Sequence, residues 1–569
     1  MGSVAPFLIF FVAAAIAGLT RGWLRSIVLL ATPVVGAANL YLMAPDASLQ
    51  VPLLEFTLEL IRIDRLSLLF GYLFHLAAFL AIVYALHLRD RTQHVASTLY
   101  AGSALGAVFA GDLITLFVFW ELLALTSVFL ILARGTRRAY RAALRYLVVQ
   151  VLSGVILLAG AVIHFRATGS IAFEFIGLKP LGSGLEGVAS WLILLAIGIK
   201  CAFPFLHNWL TDAYPEATPT GTVFLSAFTT KVAVYALARA YPGTELLIYA
   251  GATMAMFPIF FAVIENDLRR VLAYSLINQV GFMVCGIGIG TALALNGAVS
   301  HAFNDVVFKG LLFMSMGAVL YRTGRINGSE LGGLYKTMPV TTALCLVGAA
   351  SISAFPLFSG FVSKSMVMVA ALEEGYPVIW LALLFASAGV FHHAGIKIPY
   401  FTFFAHDSGL RPKEAPPNML LAMGLGAAIC IFNGAYPWVL YSMLPFAVDY
   451  QPYTDAHVMT QVQLLFFSAL AFVWLQLTGL YPPELRGLNI DAEWSYRKAL
   501  PAVARRITAL AAGVRDVVLG RGYTAARRLI AGLYRTHGPE GAMARTRPSG
   551  YMAMWMTVLL SAFLLLSFI

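Results

Sequence analysis

The chain has 569 residues, 60% of them hydrophobic and only 11% charged, with a mean hydropathy of +0.82. Soluble domains usually carry about 25% charged residues, so this composition excludes a soluble globular protein and predicts an all-α polytopic membrane protein. The net charge of +11 sits in short loops between apolar runs, which argues against nucleic acid. The four cysteines lie inside those runs without metal or disulfide spacing, and no nucleotide loop or nucleophile elbow is present, so neither metal nor cofactor is expected.

Windows of about 18–22 apolar residues give roughly sixteen transmembrane helices. The first five lie at 4–19, 25–44, 66–87, 96–111 and 113–133, the next five at 142–165, 188–206, 219–240, 246–264 and 271–290. The series closes with 295–321, 340–372, 377–396, 417–444, 461–480 and 551–569. The first run lacks a basic n-region and is followed at once by a second span, so it reads as a retained helix. Basic loops such as "RGWLR", "HLRDRTQH", "ENDLRR" and "RTGR" fall on one side, with acidic "EEGYP" and "DYQPYTDAH" opposite. The positive-inside rule makes the basic side cytoplasmic and puts the N-terminus outside, in a prokaryotic inner (plasma) membrane. Residues 482–547 break the pattern: Val503, Ile507, Leu510, Val514 and Val517 recur near helical spacing among arginines. Either an interfacial amphipathic helix or a brace against a neighbour fits that pattern.

Charges inside the spans carry the functional signal. Glu121 lies in the middle of "LITLFVFWELLALTSVFLILA", where an acidic residue costs roughly 2.5–3.5 kcal/mol at a helix centre. Lys200 ends "SWLILLAIGIK" and Lys231 lies in "SAFTTKVAVYALAR". His301, Asp305 and Lys309 are spaced by four in "SHAFNDVVFKGLLF" and share one helix face, so Asp305 and Lys309 have ion-pair spacing. Lys364 follows Pro356, and His392, His393 and Lys397 close the series in "AGVFHHAGIK". Each has a plainer reading: Lys200 can snorkel, Lys364 can satisfy carbonyls freed by proline, and the histidine pair can mark a helix end. "KCAFPF" and "SAFPLFSG" place Pro204, Pro356 and Gly360 inside spans, predicting two interrupted helices, the sequence pointer to repeats around a transport site. On this reading Glu121 is the switchable counter-ion of Lys200, and the row of lysines is a proton path, because burial and a nearby carboxylate push a lysine's proton affinity in opposite directions.

These stretches resemble the antiporter-like subunits of respiratory complex I and of Mrp-type multisubunit cation/proton antiporters. "FVFWELLALTSVFLI", "GIKCAFPFLHNWLTDAYPEATPTGTVFLSAFTTKVAVYALAR", "DLRRVLAYSLINQVGFM", "HAFNDVVFKGLLF" and "FPLFSGFVSK" carry the resemblance over most of 60–445. "HHAGIKIPYFTFFAHDSGLRP" and "NIDAEWSYRK" look most like the D-type members of the Mrp branch. The resemblance implies fourteen helices of a shared fold, two inverted five-helix repeats, broken helices, and a charged axis at the membrane midplane. It assigns the family's helix-five glutamate to Glu121, its broken-helix lysines to Lys200 and Lys364, and its intervening charges to Lys231, His301 and Lys309. Asp305 stands where many relatives have a second histidine, and relatives in the complex I branch often have a further histidine near the position of Ser226. A lateral helix and final span resemble the distal complex I subunit in plan.

The organisation expected is N-terminal helices over 1–95, a first repeat over 96–240 and a second, inverted repeat over 246–400. Further helices follow over 416–480, then a basic cytoplasmic segment over 482–547 and a last span over 551–569. The function expected is a proton-translocating, non-enzymatic subunit of a Na+ or K+/H+ antiporter complex, with other membrane subunits, protons and the cation as partners. A proton-pumping subunit of a redox-driven dehydrogenase or hydrogenase, coupling to bicarbonate uptake, and a membrane scaffold are the alternatives.

Overall fold

The computed structural model describes residues 4–44, 47–485, 487 and 489–568, in two compact units, 1–489 and 490–569. The first unit opens with α1 (Pro6–Leu19) and α2 (Gly22–Leu42), followed by an antiparallel hairpin of β1 (Ser48–Leu53) and β2 (Phe56–Arg62). The hairpin is a correction, since 48–62 reads as a loop from sequence. α3 (Arg65–Ala85) starts from a capping box in which Asp64 and Ser67 satisfy each other's backbone N–H groups. α4 (Arg91–Phe109), α5 (Leu113–Leu132) and α6 (Arg137–Thr168) follow, then α7 (Leu185–Lys200), α8 (Asn208–Ala213), α9 (Pro219–Ala227) and α10 (Thr229–Ala240).

The same plan then recurs. α11 (Glu245–Ile264), α12 (Leu268–Ile289) and α13 (Ala292–Thr323) lead to α14 (Pro339–Ile352) and α15 (Ser359–Glu373). α16 (Pro377–Val390) continues into π-helical turns at Phe391–Lys397 and Tyr400–Phe404. Local details match as well as helix order. Asp112 caps α5 and bridges to Ala172, while Asp267 caps α12 and bridges to Asn327. α6 and α13 both run 32 residues and end on a left-handed glycine, Gly169 and Gly324. A repeat of five spans is odd in number, so the second begins on the opposite membrane face and is inverted. α17 (Pro417–Ala435), α18 (Trp438–Ser442) and α19 (Asp455–Leu477) complete the unit, and the second unit holds α20 (Leu500–His537) and α21 (Ser549–Ser567).

All sixteen expected spans are helical. Twelve helices among the described residues are long and apolar enough to cross a membrane. The other four expected spans are the short α1, the polar but buried α4, and the broken spans 188–206 and 340–372. The run 340–372 is α14 and α15 with a break between them, and 417–444 is likewise split at Pro437.

The breaks share one construction. After α7, Ala202 and Phe205 take left-handed φ values of 63° and 67°, and after α14, Ala354 and Leu357 take 59° and 72°. Each such non-glycine residue costs roughly 1–2 kcal/mol, and the local hydrogen bonds show what holds it. Phe203 N donates back to Gly198 O at 2.9 Å, and Phe355 N to Ala350 O at 3.1 Å, so orphan carbonyls at both helix ends are closed the same way. Pro204 and Pro356 then prevent the helix from resuming. Gly360 lies in the first turn of α15, beyond the break, where an added Cβ would collide with Ser351 O. Only glycine lets the two halves of this span approach so closely.

Candidate functional site

Five lysine amines are buried in the first unit. Lys200, Lys231, Lys309 and Lys397 are 0% exposed, and Lys364 is 2%. None of them snorkels. A buried ammonium must find acceptors, and the partners it finds define the site.

Lys200 ends α7 at the first break. Its Nζ donates to Trp120 O at 2.7 Å and lies 4.7 Å over the Trp120 ring. The indole donates to Ser153 Oγ, which donates to Ala196 O, so α5, α6 and α7 are bound around this amine. Glu121, half-buried beside Trp120, makes no ion pair with Lys200 within 4 Å among the described residues, and its Oε1 is buried without a hydrogen-bond partner. Glu121 and Lys200 lie within electrostatic reach of each other without a direct ion pair: the lysine takes a carbonyl and a ring, and the carboxylate is held nearby in a notch at Gly154, where an added Cβ would fall on Oε1.

Lys231 follows a second discontinuity, between α9 and α10 at Phe228. The interruption frees Ser226 O, which accepts from Lys231 Nζ at 3.2 Å. The main partner is Asp305 of α13, whose Oδ2 lies 2.6 Å from Nζ with both side chains 0% exposed. The i,i+4 spacing that points to Asp305–Lys309 is thus overridden by tertiary structure. Lys309 donates instead to Ser275 Oγ of α12 at 2.7 Å. The Lys231–Asp305 pair joins the first repeat to the second.

His301 is fully buried one turn away. Its Nδ1 lies 3.0 Å from Ser363 Oγ and its Nε2 3.1 Å from Gln279 Oε1, and Gln279 Nε2 donates to Asn278 Oδ1 at 2.6 Å. Ser363 Oγ also lies 3.3 Å from Ser359 O, to which its hydroxyl can turn. A neutral ring donates to Gln279 and accepts from Ser363; a charged ring donates to both while Ser363 turns to Ser359. Both protonation states are satisfied by one hydroxyl rotation. Lys364, next to Ser363 on α15, donates to Ile352 O at 3.1 Å and lies 5.1 Å over Phe282. Ile352 O is a carbonyl freed at the second break, as the plainer reading of Lys364 expects.

His392, His393 and Lys397 sit in or at the π-helical turn Phe391–Lys397, a geometry frequent at functional sites. His393 points inward, 0% exposed, whereas His392 stacks on Tyr481 with ring centroids 5.5 Å apart. Lys397 donates to Val263 O and Glu265 O at 2.6 and 2.7 Å, closing the C-terminus of α11, and pairs with Glu484 Oε1 at 2.9 Å. Burial pushes the Glu484 carboxyl above its usual range, and the Lys397 amine pulls it partly back. A folded-state value above the unfolded one gives a contribution fully present below about pH 4.3 and lost as pH rises through the folded value. Amide exchange of residues 478–485, corrected for intrinsic rates, is expected to be faster at pH 8 than at pH 4. Glu484→Gln should erase the difference, and equal protection at both pH values would refute this.

Sequence reading missed Asn278, Gln279, Ser275 and Ser363, although "SLINQVGF" and "GFVSK" display them as polar residues inside spans. Arg269, placed in a basic loop by its motif, is 0% exposed and donates to Pro215 O and Ala217 O at 3.0 Å and to Thr222 Oγ1, fixing the approach to α9.

Two inverted repeats, matching broken helices and amines buried against freed carbonyls define an antiporter-like polytopic membrane protein. Residues 110–389 match the family described as NADH:quinone oxidoreductase/Mrp antiporter, transmembrane. The N component of the NADH-quinone oxidoreductase of Desulforudis audaxviator is 31% identical over 391 residues, 62% of this chain and 78% of that protein. The chain belongs to this family. The D component of the Na(+)/H(+) antiporter of Alkalihalophilus pseudofirmus is 33% identical over 293 residues, 49% of this chain but only 59% of its own length. The Mrp complex of a Dietzia species contains a chain that superposes with a TM-score of 0.75 at 25% identity, covering 98% of this chain and 66% of that one.

Proposed function

We propose that the chain is the proton-translocating subunit of a multisubunit monovalent cation (Na+ or K+)/H+ antiporter, embedded with other membrane subunits in a prokaryotic plasma membrane. The observation that carries this reading is the fully buried Lys231–Asp305 ion pair between the repeats. A proton arriving on Asp305 neutralises the carboxylate. Lys231 is then a buried ammonium facing only neutral acceptors, and passing a proton onward relieves that unpaired charge. Glu121 and Lys200 take up protons; Lys231, His301, Asp305 and Lys309 relay them; Lys364 releases them. His392, His393 and Lys397 stand as a branch beside that route, and Pro204, Pro356 and Gly360 keep the breaks open. A scaffold of static charges needs carboxylates to match its amines, and here amines predominate. The arginine distribution supports an outside N-terminus and a cytoplasmic 482–547, and the repeats fit 96–240 and 246–400.

In proteoliposomes holding the assembled complex, Glu121→Gln is expected to lower cation-driven proton flux by about a hundredfold, the scale of losing one positioned proton-transfer group, with assembly unchanged. Wild-type flux in that variant would defeat the assignment. The fuller coverage of the oxidoreductase N component favours a second reading, a proton pump within a redox-driven complex. Copurified partners separate the two: small antiporter subunits for the first, iron–sulfur subunits for the second.

A further inference from the structure

Far from the lysine chain, two loops of the basic face meet. Arg25 of α2 donates to Ala17 O at 3.0 Å and Thr20 O at 2.6 Å, and reaches Arg89 O at 3.4 Å. This one side chain, 9% exposed, ties the α1–α2 turn to the α3–α4 connection. Above it opens a cavity of about 660 Å³, lined by Arg21, Arg25, Arg89 and Arg91 with His87 and His94. No carboxylate is among the described lining residues. The nearest in sequence, Asp90, already accepts from Thr92 N at 2.8 Å and Gln93 Nε2 at 2.9 Å. Guanidinium groups gathered without a counter-charge raise the local potential and attract an anion, and their fork suits a phosphate.

A second, apolar groove of about 510 Å³ runs between α1 and α2, lined by Leu8, Val12 and Ile16 on one side and Val28, Ala31 and Val35 on the other. Its wall on α2 continues the arginine pocket, because Arg25, Val28, Thr32 and Val35 follow at three- and four-residue steps on one helix face. At 1.5 Å per residue the α1 stripe from Leu8 to Ile16 spans roughly 12 Å, most of one leaflet of a ~30 Å hydrocarbon core. A phosphate pocket ending in an apolar groove of that length has the shape of one ligand class. We propose that the pocket and groove together bind one anionic glycerophospholipid, phosphate against Arg21, Arg89 and Arg91 and an acyl chain between α1 and α2. Basic pockets between helices at the cytoplasmic face are suited to such headgroups. Arg25 is the positioning residue: its Nε and one N–H of each terminal nitrogen donate to carbonyls, which fixes the pocket floor.

Native mass spectrometry of the full chain, purified in neutral detergent and titrated with phosphatidylglycerol, phosphatidylcholine or inorganic phosphate, tests this. Phosphatidylglycerol is expected to bind on the order of a hundredfold more tightly than phosphatidylcholine, the sum expected from three arginines near a membrane surface. The triple variant Arg21→Ala/Arg89→Ala/Arg91→Ala should erase that preference while phosphatidylcholine still binds. Val12→Trp/Val28→Trp, which fills the groove, should weaken phosphatidylglycerol without changing any binding of inorganic phosphate. Equal binding of the two lipids, a preference that survives the triple arginine variant, or a groove variant that binds phosphatidylglycerol normally would overturn the proposal, the last leaving a free-anion pocket. Unchanged thermal unfolding of the variants shows that the losses are local.

Discussion

Asp305→Asn is expected to destabilise the purified protein in detergent by about 3–5 kcal/mol, the scale of stranding one member of a buried ion pair. The variant leaves the Lys231 ammonium at 0% exposure with only neutral acceptors, the asparagine amide oxygen and Ser226 O, and no counter-charge. Lys231→Met should cost a similar amount, because it strands the aspartate, whose Oδ1 has no hydrogen-bond partner even in the native protein. The double variant Lys231→Met/Asp305→Leu removes both charges and fills their space, and buried pairs replaced by apolar groups are often neutral or stabilising. Its stability should return to within about 1 kcal/mol of wild type, giving a large coupling energy in the double-mutant cycle. Proton flux should not return, since the acid–base pair that links the lysines of the first repeat to those of the second is then gone. Additive stability losses would show that the two side chains do not depend on each other; restored flux in the double variant would remove the pair from the proton route.

Gly154→Ala should behave as a variant of Glu121. The added methyl falls on Glu121 Oε1, the tip of a flexible side chain, so the helices need not part and the carboxylate swings away. Stability should change little, while cation-driven proton flux should fall by about a hundredfold, as for the loss of the carboxyl itself. In a Glu121→Ala background the same substitution should have no further effect, because the atom it displaces is gone. A marked loss of stability, or an additional loss of flux in that background, would mean that Gly154 serves helix packing alone.

The membrane makes much of this architecture legible. Every backbone polar group in lipid must be satisfied within its own helix, so apolar runs locate the spans, and Pro204 and Pro356 locate the breaks. The buried amines are legible too, since a lysine such as Lys231 has no short path to either surface. Their partners are not. Asp305 has Lys309 one turn away on its own helix, yet pairs with Lys231 because the break at Phe228 turns that amine toward α13. Lys200 takes Trp120 O where the sequence offers Glu121. Lys397 finds Glu484 from the far side of α19, a distance no local pattern spans. Arg269 reads as a surface charge because its acceptors are backbone carbonyls, which have no signature in sequence. The hairpin of β1 and β2 is too short and mixed in polarity to stand out beside twenty-residue apolar runs.

A duplicated, inverted fold is palindromic: viewed from either membrane face it offers the same sequence of helices, and nothing in that plan prefers inward over outward. The joint at Lys231 and Asp305 breaks the equivalence. Counting back from the closing glycines Gly169 and Gly324, the residue of α6 that answers Asp305 is Gln150, a neutral amide. The acidic half of the joint therefore exists in one copy only, so the two repeats are not interchangeable at the place where they meet.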